Sequence, residues 1–478
     1  MKKLLLLLTC LSAISWTQTP SYAVRTEVYL ADRGWNVTNP AWDGLSQATA
    51  YNVNGWGQNK YWFDEHMSSF ADTNYYAATL AIHLFGRIND SGVETAQGTL
   101  PTYGNLGAWS VKPNWTISGT GANSQVFLKD VNQSEAVVFY GTGLTNVTIR
   151  DFVINCNGSQ LMSQHPTFTN WMIRAIVLDG GDNLKVSNVT AFYGVGRSST
   201  ESFFIMLGSS TATSSLVSVP NRVSGWEISN CTVDDYLGGY CSAITMNGSS
   251  SYKVKDGWVS GCHVTFPPPA SHTEMYTGTG DAKGSMFAYN SCLVDGITFT
   301  NNVSQYGHRG HNNDCGSTSG DSTGMKLIAN TYNGPYAWGL LLGSSATNCV
   351  MDGNTIVLQD GHVAGATALV IGAENLPGGA GAHHWTIKNN VFRDDSTTVD
   401  TNNRNRAIGY YEYFSASTTP YVGMVFQNNK FETPKMAFQY ITGAESGWSG
   451  NTDLSLNALS YPGCDSSNPP AGVTRYCP

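Results

Sequence analysis

One short phrase recurs through most of this chain, and it restricts the fold more than any other feature. The phrase reads apolar-x-apolar-x-(Asn or Asp)-Asn-x-apolar, as in the segments WTIKNNVF and MVFQNNKF. A period of about 20–50 residues is typical of proteins that stack one repeat on the next. When the copies are aligned, one column holds Phe152, Val189, Cys231, Cys262, Asn302, Asn330, Asn354, Asn390 and Asn429.

A second phrase falls between most copies of the first: a small-apolar strand followed by Gly, as in AIVLDG, AITMNG and ALVIG. Both phrases alternate with period 2 between Gly, Asn and Ser, which indicates strands rather than helices. Strands in irregular repeats, without hairpin dipeptides between them, predict an all-β solenoid, the single-stranded right-handed parallel β-helix. Its coils stack about 4.8 Å apart. A sandwich or a propeller would show more regular turns or a blade signature.

The aligned column makes a specific prediction. Stacked Asn side chains can hydrogen-bond to one another along a ladder. We therefore expect Asn302, Asn330, Asn354, Asn390 and Asn429 to form one stacked column in a β-helix that runs from about Trp115 to Gly443. Cys231 and Cys262 replace Asn in neighbouring coils, and we expect them to be buried, stacked thiols.

The two ends of the chain differ from the repeats in composition. The start, MKKLLLLLTCLSAISW, and the small-x-small sequence that ends at Ala23 predict a secretory signal peptide. The tail is rich in Ser, Asn and Pro, and its Cys464 and Cys477 can close a loop. The predicted regions are a signal peptide (1–23), an N-terminal capping region (24–109), the β-helix (110–443) and a C-terminal cap or tail (444–478).

Charge and composition exclude several classes of partner. The formal net charge is −9 at pH 7, and it becomes −11 when the signal peptide removes Lys2 and Lys3. An acidic, secreted chain is unsuited to binding nucleic acid or an anionic membrane surface. No stretch after the signal peptide is long and apolar enough to span a bilayer. Many Tyr, Trp, Gly, Asn and Ser residues suit a surface that meets sugars. We expect a monomer, extracellular or periplasmic, whose partner is a polysaccharide or oligosaccharide.

The Asn-Asn coils, the second strands that end in Gly and the signal peptide resemble the pectate-lyase-like superfamily of right-handed parallel β-helix proteins. The resemblance covers Trp115 to Gly443 and is specific for the fold. It implies a carbohydrate-active protein. Because the superfamily includes glycoside hydrolases, polysaccharide lyases, esterases and non-catalytic spikes, the fold alone does not select the activity. No complete catalytic motif of any one family is recognisable in the sequence.

One coil differs from its neighbours. After Asn302 the small-apolar strand is missing from the pattern, and GHRGHNNDCGSTSGDS takes its place. A solenoid that gives up an apolar strand loses burial, so a function is expected there, with an ordinary polar surface loop as the alternative. The loop-like spacing of its His and Asp residues favours acid–base chemistry over a zinc site. The candidate catalytic residues are His308, Arg309, His311 and Asp314.

Asp234 and Asp235 form a second candidate pair. Successive strand residues face opposite ways, so one of the two would face a groove. The alignment puts the pair about two coils, roughly 10 Å, from His308. That distance is near the separation of about 6.5–9.5 Å between the carboxyl groups of inverting glycosidases. The pair resembles the aspartates of polygalacturonase-type hydrolases, with GHRG in place of their Gly-His-Gly, but their Arg-x-Lys motif is not recognisable. A turn-stabilising Asp pair is the alternative.

Three functional classes follow from these residues. A glycoside hydrolase with Asp/His acid–base chemistry is favoured, because an acidic chain is a poor partner for a polyanionic substrate, and it needs no cofactor or metal. A polysaccharide lyase would use His308, Arg309 or Lys283 against a uronate. Ca²⁺ on Asp235 or Asp314 would assist it. The third class is a non-catalytic glycan-binding or surface spike protein. The candidate sugar-binding residues are Tyr193, Arg197, Tyr236, Lys283, Tyr336 and Trp338.

Overall fold

The structure is a computed structural model of the chain. It describes residues 27–29, 80–83, 87–90, 107–111, 115–118, 121, 125–128, 135–156, 158–164, 171–197, 202–208, 225–238, 240–248, 254–270, 285–313, 322–342, 346–361, 366–372, 384–397, 405–411, 423–432, 435–438 and 447–460. The predicted signal peptide, together with Cys464 and Cys477, lies outside these residues.

The described chain consists almost entirely of β-strands, with one short helix, α1 (Gly158–Gln164). The first twenty strands are β1 (Glu27–Tyr29), β2 (Leu80–His83), β3 (Arg87–Asp90), β4 (Gly107–Ser110), β5 (Trp115–Ser118), β6 (Gln125–Leu128), β7 (Glu135–Leu144), β8 (Val147–Asn155), β9 (Trp171–Gly180), β10 (Leu184–Phe192), β11 (Val195–Arg197), β12 (Ser202–Gly208), β13 (Glu227–Ser229), β14 (Thr232–Asp234), β15 (Leu237–Gly238), β16 (Tyr240–Asn247), β17 (Val254–Lys255), β18 (Trp258–Ser260), β19 (His263–Thr265) and β20 (Ser285–Cys292).

The other strands are β21 (Val294–Asp295), β22 (Thr298–Thr300), β23 (Val303–Gln305), β24 (Arg309–Asn313), β25 (Ser322–Thr323), β26 (Lys326–Ile328), β27 (Thr331–Asn333), β28 (Trp338–Leu342), β29 (Ala346–Thr347), β30 (Val350–Asp352), β31 (Thr355–Leu358), β32 (Thr367–Gly372), β33 (Thr386–Lys388), β34 (Val391–Asp394), β35 (Arg406–Tyr411), β36 (Val425–Gln427), β37 (Lys430–Phe431), β38 (Ala437–Phe438), β39 (Trp448–Ser449) and β40 (Thr452–Asp453).

Three sheets run along the molecule. Sheet 1 has two columns of strands, one from β1 and β2 to β39 and the other from β3 and β6 to β40, and the long strands β8 and β10 belong to both. Sheet 2 passes from β4 through β7 to β38, and sheet 3 holds β17, β21, β25 and β29. Within the described residues every strand pairing is parallel except that of β9 with β11. The chain is a right-handed parallel β-helix, as the sequence predicts.

A left-handed residue turns the chain between the two columns of sheet 1 in each coil from β8 to β40. Asn301, Asn389 and Asn428 have φ angles of 55°, 57° and 53°, and Gly353 and Gly450 take the same place with φ 67° and 64°. Asn and Gly tolerate this conformation better than other residues do. The Asn-Asn phrase therefore combines one residue that makes the turn with a second that points into the coil.

That second residue forms the predicted column. Asn302 Nδ2 donates to Asn330 Oδ1 at 2.9 Å, and the same bond repeats from Asn330 to Asn354, from Asn354 to Asn390 and from Asn390 to Asn429 at 2.9–3.0 Å. Each amide also donates to a backbone carbonyl, and all five residues are buried. The predicted Asn column is confirmed.

The column continues at both ends of the predicted set. Asn429 Nδ2 donates to Asn451 Oδ1 at 3.0 Å, one coil beyond the last predicted member. At the other end Asn302 Oδ1 accepts the backbone N–H of Cys262 at 2.9 Å. Cys231 and Cys262 are fully buried with free thiols that lie against backbone carbonyls, as predicted.

The parallel ladder also extends past the boundaries drawn from the sequence. β1, β2 and β3 lie within the region 24–109 and pair in parallel with each other or with β5 and β6. β39 and β40 lie after residue 443 and pair with β36 and β37. No helix among the described residues is long and apolar enough to cross a membrane.

Two apolar clusters hold the described coils together. The larger fills the inside of the solenoid with Ile, Val, Leu, Phe and Met side chains from all three sheets. The smaller lies on the outer face of sheet 2 and consists of Val137, Tyr140, Val177, Phe203 and Met206, all of them buried. The outer face of sheet 2 is therefore not an ordinary solvated surface.

Candidate functional site

The strand that the sequence pattern lacks after Asn302 is present in the structure. Residues Arg309–Asn313 form β24, which pairs with β20 and β28 in sheet 2, and all five residues are buried. The prediction of an insertion that replaces a strand is wrong. The sequence pattern does not predict this strand, because its side chains are polar and show no apolar alternation although its backbone pairing is kept.

His311 points into the solenoid and not toward a groove. It is fully buried, its ring lies 4.6 Å from that of Phe299, and its Nε2 is 3.0 Å from Ser291 Oγ. Burial lowers the pKa of His311 to about 3, so the ring is neutral at physiological pH. The expectation that His311 contacts a substrate is corrected, because no polymer reaches a side chain inside the core.

Tyr236 is corrected for the same reason. It is fully buried and stacks between Phe204, at 4.6 Å between ring centroids, and Phe266, at 6.3 Å. Asp235 explains this position, because its left-handed backbone, φ 49°, ends the alternation of β14 and directs the next residue inward. Tyr236 is a core residue and not a sugar contact.

Arg309 lies on the outer face of sheet 2, between two aromatic rings. Its guanidinium carbon is 4.1 Å from the centroid of Trp338 and 4.8 Å from that of Phe287, the residues at the same register in the next and the previous coil. It also donates to Asn312, whose Nδ2 donates to Asn290 Oδ1 at 3.1 Å. A guanidinium held by two rings and an amide loses most of its rotational freedom.

His308 sits at the corner where the chain enters β24. Its ring centroid is 6.1 Å from that of Tyr336 and 6.2 Å from that of Trp338, and all three side chains are partly exposed. Burial and the neighbouring charge of Arg309 lower the pKa of His308 to about 3. Its Nδ1 has no hydrogen-bond partner among the described residues. His308 is thus a neutral ring at the corner, and its Nδ1 is buried rather than open to solvent.

These four residues, His308, Arg309, Tyr336 and Trp338, form what we call the corner cluster. His308 and Tyr336 lie in short connections, 306–308 in one coil and 334–337 in the next, and Arg309 and Trp338 begin the strands that follow. The connections at the same corner in the flanking coils, 266–284 and 359–366, are longer. The sequence predicted all four residues as site residues, and the structure brings them together.

A proline segment borders this corner. Phe266 packs on Gly307, where an added Cβ would lie 2.9 Å from the ring, and Pro269 lies beside Gly361. The segment therefore passes from the coil of β19 to that of β31, across the coils that hold the corner cluster. Three successive prolines, Pro267 to Pro269, give the segment little conformational freedom.

Asp234 and Asp235 lie on the other side of this corner, on sheet 1. Asp234 is exposed and pairs in register with Thr265, which pairs with Gln305, so two coils separate Asp234 from the strand before His308. This matches the predicted coil separation of about 10 Å. Whether the pair shares a groove with His308 stays a prediction, since the two carboxylates and His308 lie in different coils.

The other candidate residues are placed less fully. Tyr193 is exposed at the corner, with a left-handed φ of 58°. Arg197 ends β11, and its side chain is not described. Lys283 and Asp314 lie outside the described residues. Within the described part of the chain, no three His, Cys, Asp or Glu side chains are grouped so that they could hold a metal ion.

Sequence reasoning missed Phe287, Asn290 and Asn312. All three are buried in sheet 2, and each holds or orients a member of the corner cluster or its hydrogen-bonded neighbour. One pattern could have revealed them. Four residues share one outward position in successive strands of sheet 2. The position is Asn in SMFAYN and RGHNN (Asn290 and Asn312), but Thr245 in AITMNG and Leu341 in GLLLG.

Comparisons with known proteins identify the fold. No family model matches the sequence, and no curated protein matches it. A double mutant of the tailspike protein of E. coli bacteriophage HK620 matches with a TM-score of 0.55 and 13% identity, over 86% of this chain and 66% of the tailspike chain. A single mutant of that tailspike in complex with a pentasaccharide has a TM-score of 0.57 and 12% identity, over 92% and 69%.

A further tailspike mutant in complex with a pentasaccharide has a TM-score of 0.57 and 12% identity, over 95% of this chain and 69% of the tailspike. This chain therefore spans about two thirds of the length of these tailspike chains. At such low identity the likeness establishes the parallel β-helix and nothing finer.

Proposed function

We propose that this protein binds a glycan at the corner cluster. One observation carries the proposal: Arg309 is fixed between Phe287 and Trp338, next to the partly exposed rings of Tyr336 and His308. Aromatic faces pack on the apolar faces of sugar rings, and fixed polar groups then select the hydroxyl pattern.

The comparisons support the same class of ligand. Tailspike chains of the same fold bind a pentasaccharide. The acidic, aromatic-rich composition also fits a sugar partner better than a nucleic acid. We further propose that the chain belongs with the pectate-lyase-like proteins and that it is exported, with the signal peptide removed after Ala23.

Hydrolysis of that glycan is the proposed activity. It needs a carboxylic acid and a carboxylate on the two sides of the scissile bond. Asp234 is exposed and Asp235 is partly exposed, two coils from the strand that leads to His308. A glycan that lay across the corner would meet these carboxylates on one side and the corner cluster on the other. Elimination by a lyase, with His308 as base and Arg309 against a uronate, is the alternative.

Binding is tested first, on an array of neutral and uronate-containing oligosaccharides. Trp338→Ala should weaken binding to the best oligosaccharide by about 10-fold or more, the loss expected for about 1.4 kcal/mol of stacking. Trp258→Ala is the matched control, because Trp258 is 40% exposed on the first column of sheet 1 and should not matter. Equal affinity of the wild type and Trp338→Ala would contradict the proposed site.

Cleavage is tested with the glycans that bind, by assays for reducing ends and for unsaturated ends, with and without a chelator. Hydrolysis gives only reducing ends, whereas elimination also gives an unsaturated end. Asp235→Asn and His308→Ala should each lower turnover about 10²-fold or more if each acts as a general acid or base. Tight binding without either product would identify a binding protein and reject hydrolysis.

A further inference from the structure

The interior of the solenoid behind β24 is polar where its neighbours are apolar. His311 and Asn313 point inward at the register that Leu340 and Leu342 occupy in the next coil. Ser304 points inward on the second column of sheet 1, in register with Val264 in the previous coil. The interior at this level therefore carries buried polar side chains from two sheets.

Some of these groups have protein partners. His311 Nε2 lies 3.0 Å from Ser291 Oγ, and Asn313 Nδ2 donates to the carbonyl of Ser291 at 2.9 Å. The hydroxyl of Tyr289 donates at 2.7 Å to the carbonyl of Val303, the residue before Ser304. These bonds fix the side chains around the centre of the coil.

Three buried atoms have no hydrogen-bond partner among the described residues: His311 Nδ1, Ser304 Oγ and the hydroxyl of Tyr332. None of the three residues is more than 1% exposed. Leaving such groups unpaired in a folded core costs stability, and native proteins rarely leave three at one place.

The three residues are neighbours. Ser304 and Tyr332 are register partners in adjacent strands of sheet 1. The ring of Tyr332 lies against Gly310, where an added Cβ would be 2.6 Å from Cδ1, and Gly310 precedes His311. The His311 ring stacks at 6.5 Å on that of Tyr289, whose hydroxyl reaches the strand of Ser304.

We infer that this place is an internal hydration site, with a water molecule bridging His311 Nδ1, Ser304 Oγ and the hydroxyl of Tyr332. Buried waters typically make about three hydrogen bonds to groups that lack other partners. A hydroxyl and a neutral imidazole nitrogen can each donate or accept, so one water suits all three. Because every group is neutral, the site favours a neutral molecule over an ion.

The site bears on the rest of the molecule through β24. The inner face of this strand would be held by the bound water, and its outer face carries Arg309. The inference stands apart from the proposed glycan function, since it concerns the inside of the coil and would hold whatever the surface binds.

Thermal unfolding of Tyr332→Phe, Ser304→Ala and the double variant provides the test. If water bridges the two hydroxyls, each single change lowers Tm by breaking that network, and the double variant loses less than the sum of the two. A control cycle of Tyr332→Phe with Ser229→Ala should be additive, because Ser229 bonds to Glu227 in a distant coil. If either single variant keeps or raises Tm, or if the main cycle is additive, the inference is overturned.

A crystal structure of the full chain gives the direct test. We expect a density peak for water within hydrogen-bond distance of at least two of the three atoms. A dry gap, or rotation of these side chains onto protein partners, would overturn the inference.

Discussion

At the scale of single residues, the Asn column shows how one side chain type connects six coils by hydrogen bonds. The side chain of Asn354 makes four of the bonds: its amide donates to Asn390 and to the carbonyl of Leu327, and its oxygen accepts the backbone N–H and the amide of Asn330. All these groups are buried, so none has water as a substitute partner. The column therefore contributes through satisfied polar groups rather than through apolar area.

Asn354→Ala should destabilise the protein by roughly 2–5 kcal/mol, because it leaves several buried donors and acceptors unpaired. Urea unfolding followed by fluorescence measures the change. Asn301→Gly is the matched control: Asn301 is exposed, its φ of 55° suits Gly, and the change should cost less than about 1 kcal/mol. A similar loss in both variants would mean that the column bonds contribute little.

At the scale of the element, β24 is the unusual strand of sheet 2. It carries Arg309 and Asn312 outward and His311 and Asn313 inward, while the equivalent β28 is mostly Leu. A buried, neutral His must give up any proton that it carries in the unfolded chain, so the stability of the fold around this strand depends on pH.

The pKa of His311 is about 3 in the folded protein, below the usual 6.5. The unfolded chain therefore takes up the proton first, and stability falls as pH drops from 6.5 toward 3. Between pH 7 and pH 5 this residue should lower the free energy of unfolding by about 2 kcal/mol. The free energy of unfolding of His311→Leu should therefore fall by about 2 kcal/mol less than that of the wild type over the same interval, as measured by chemical denaturation.

The control for this comparison is His263→Gln, which removes an exposed histidine of β19 instead of a buried one. If His311→Leu and the wild type lose the same free energy between pH 7 and pH 5, then His311 is not the buried neutral group described here.

At the scale of the whole molecule, a solenoid has two ends that must be closed. Trp448, in β39, stacks near the rings of Phe426, Phe431 and Phe438 at 5.7–5.9 Å. Aromatic packing of this kind covers an apolar core edge that the next coil would otherwise cover. The last described coil thus protects the C-terminal end of the core.

Trp448→Ala should lower Tm by several degrees and increase proteolysis at the C-terminal end, because it opens the last coil. Trp258→Ala is again the control, since Trp258 is an exposed Trp on a flat sheet. Limited proteolysis with mass spectrometry locates the new cuts. Equal resistance of the two variants to protease would show that Trp448 does not close the core.

The sequence was informative about the fold because the Asn-Asn phrase is local and repeats. One residue of each pair turns the chain and the next stacks on its neighbours, so each Asn-Asn pair marks one coil of the β-helix. β24 was misread because its identity as a strand depends on neighbours far away in sequence, β20 and β28, and not on its own side chains. Tyr236 is predicted on the surface because the sequence does not show that Asp235 adopts a left-handed φ. Most left-handed turns in this chain use Asn or Gly instead.

The corner cluster was found from residue types, yet its support was not. His308, Arg309, Tyr336 and Trp338 can be predicted from the sequence because they are ionisable or aromatic. Phe287 and Asn312 come from strands that look like ordinary core strands, and only the register of sheet 2 brings them to Arg309.

The Asn column also has a direction: every amide donates toward the C-terminal end, from Asn302 to Asn451. Each coil thus presents the same acceptor to the coil before it and the same donor to the coil after it. Loss of the 24 residues that separate Asn330 from Asn354 would place the amide donor of Asn302 opposite the next remaining Asn oxygen and keep the chain of bonds intact. Deletion or duplication of one whole coil would therefore preserve the column, whereas a change by a fraction of a coil would break it.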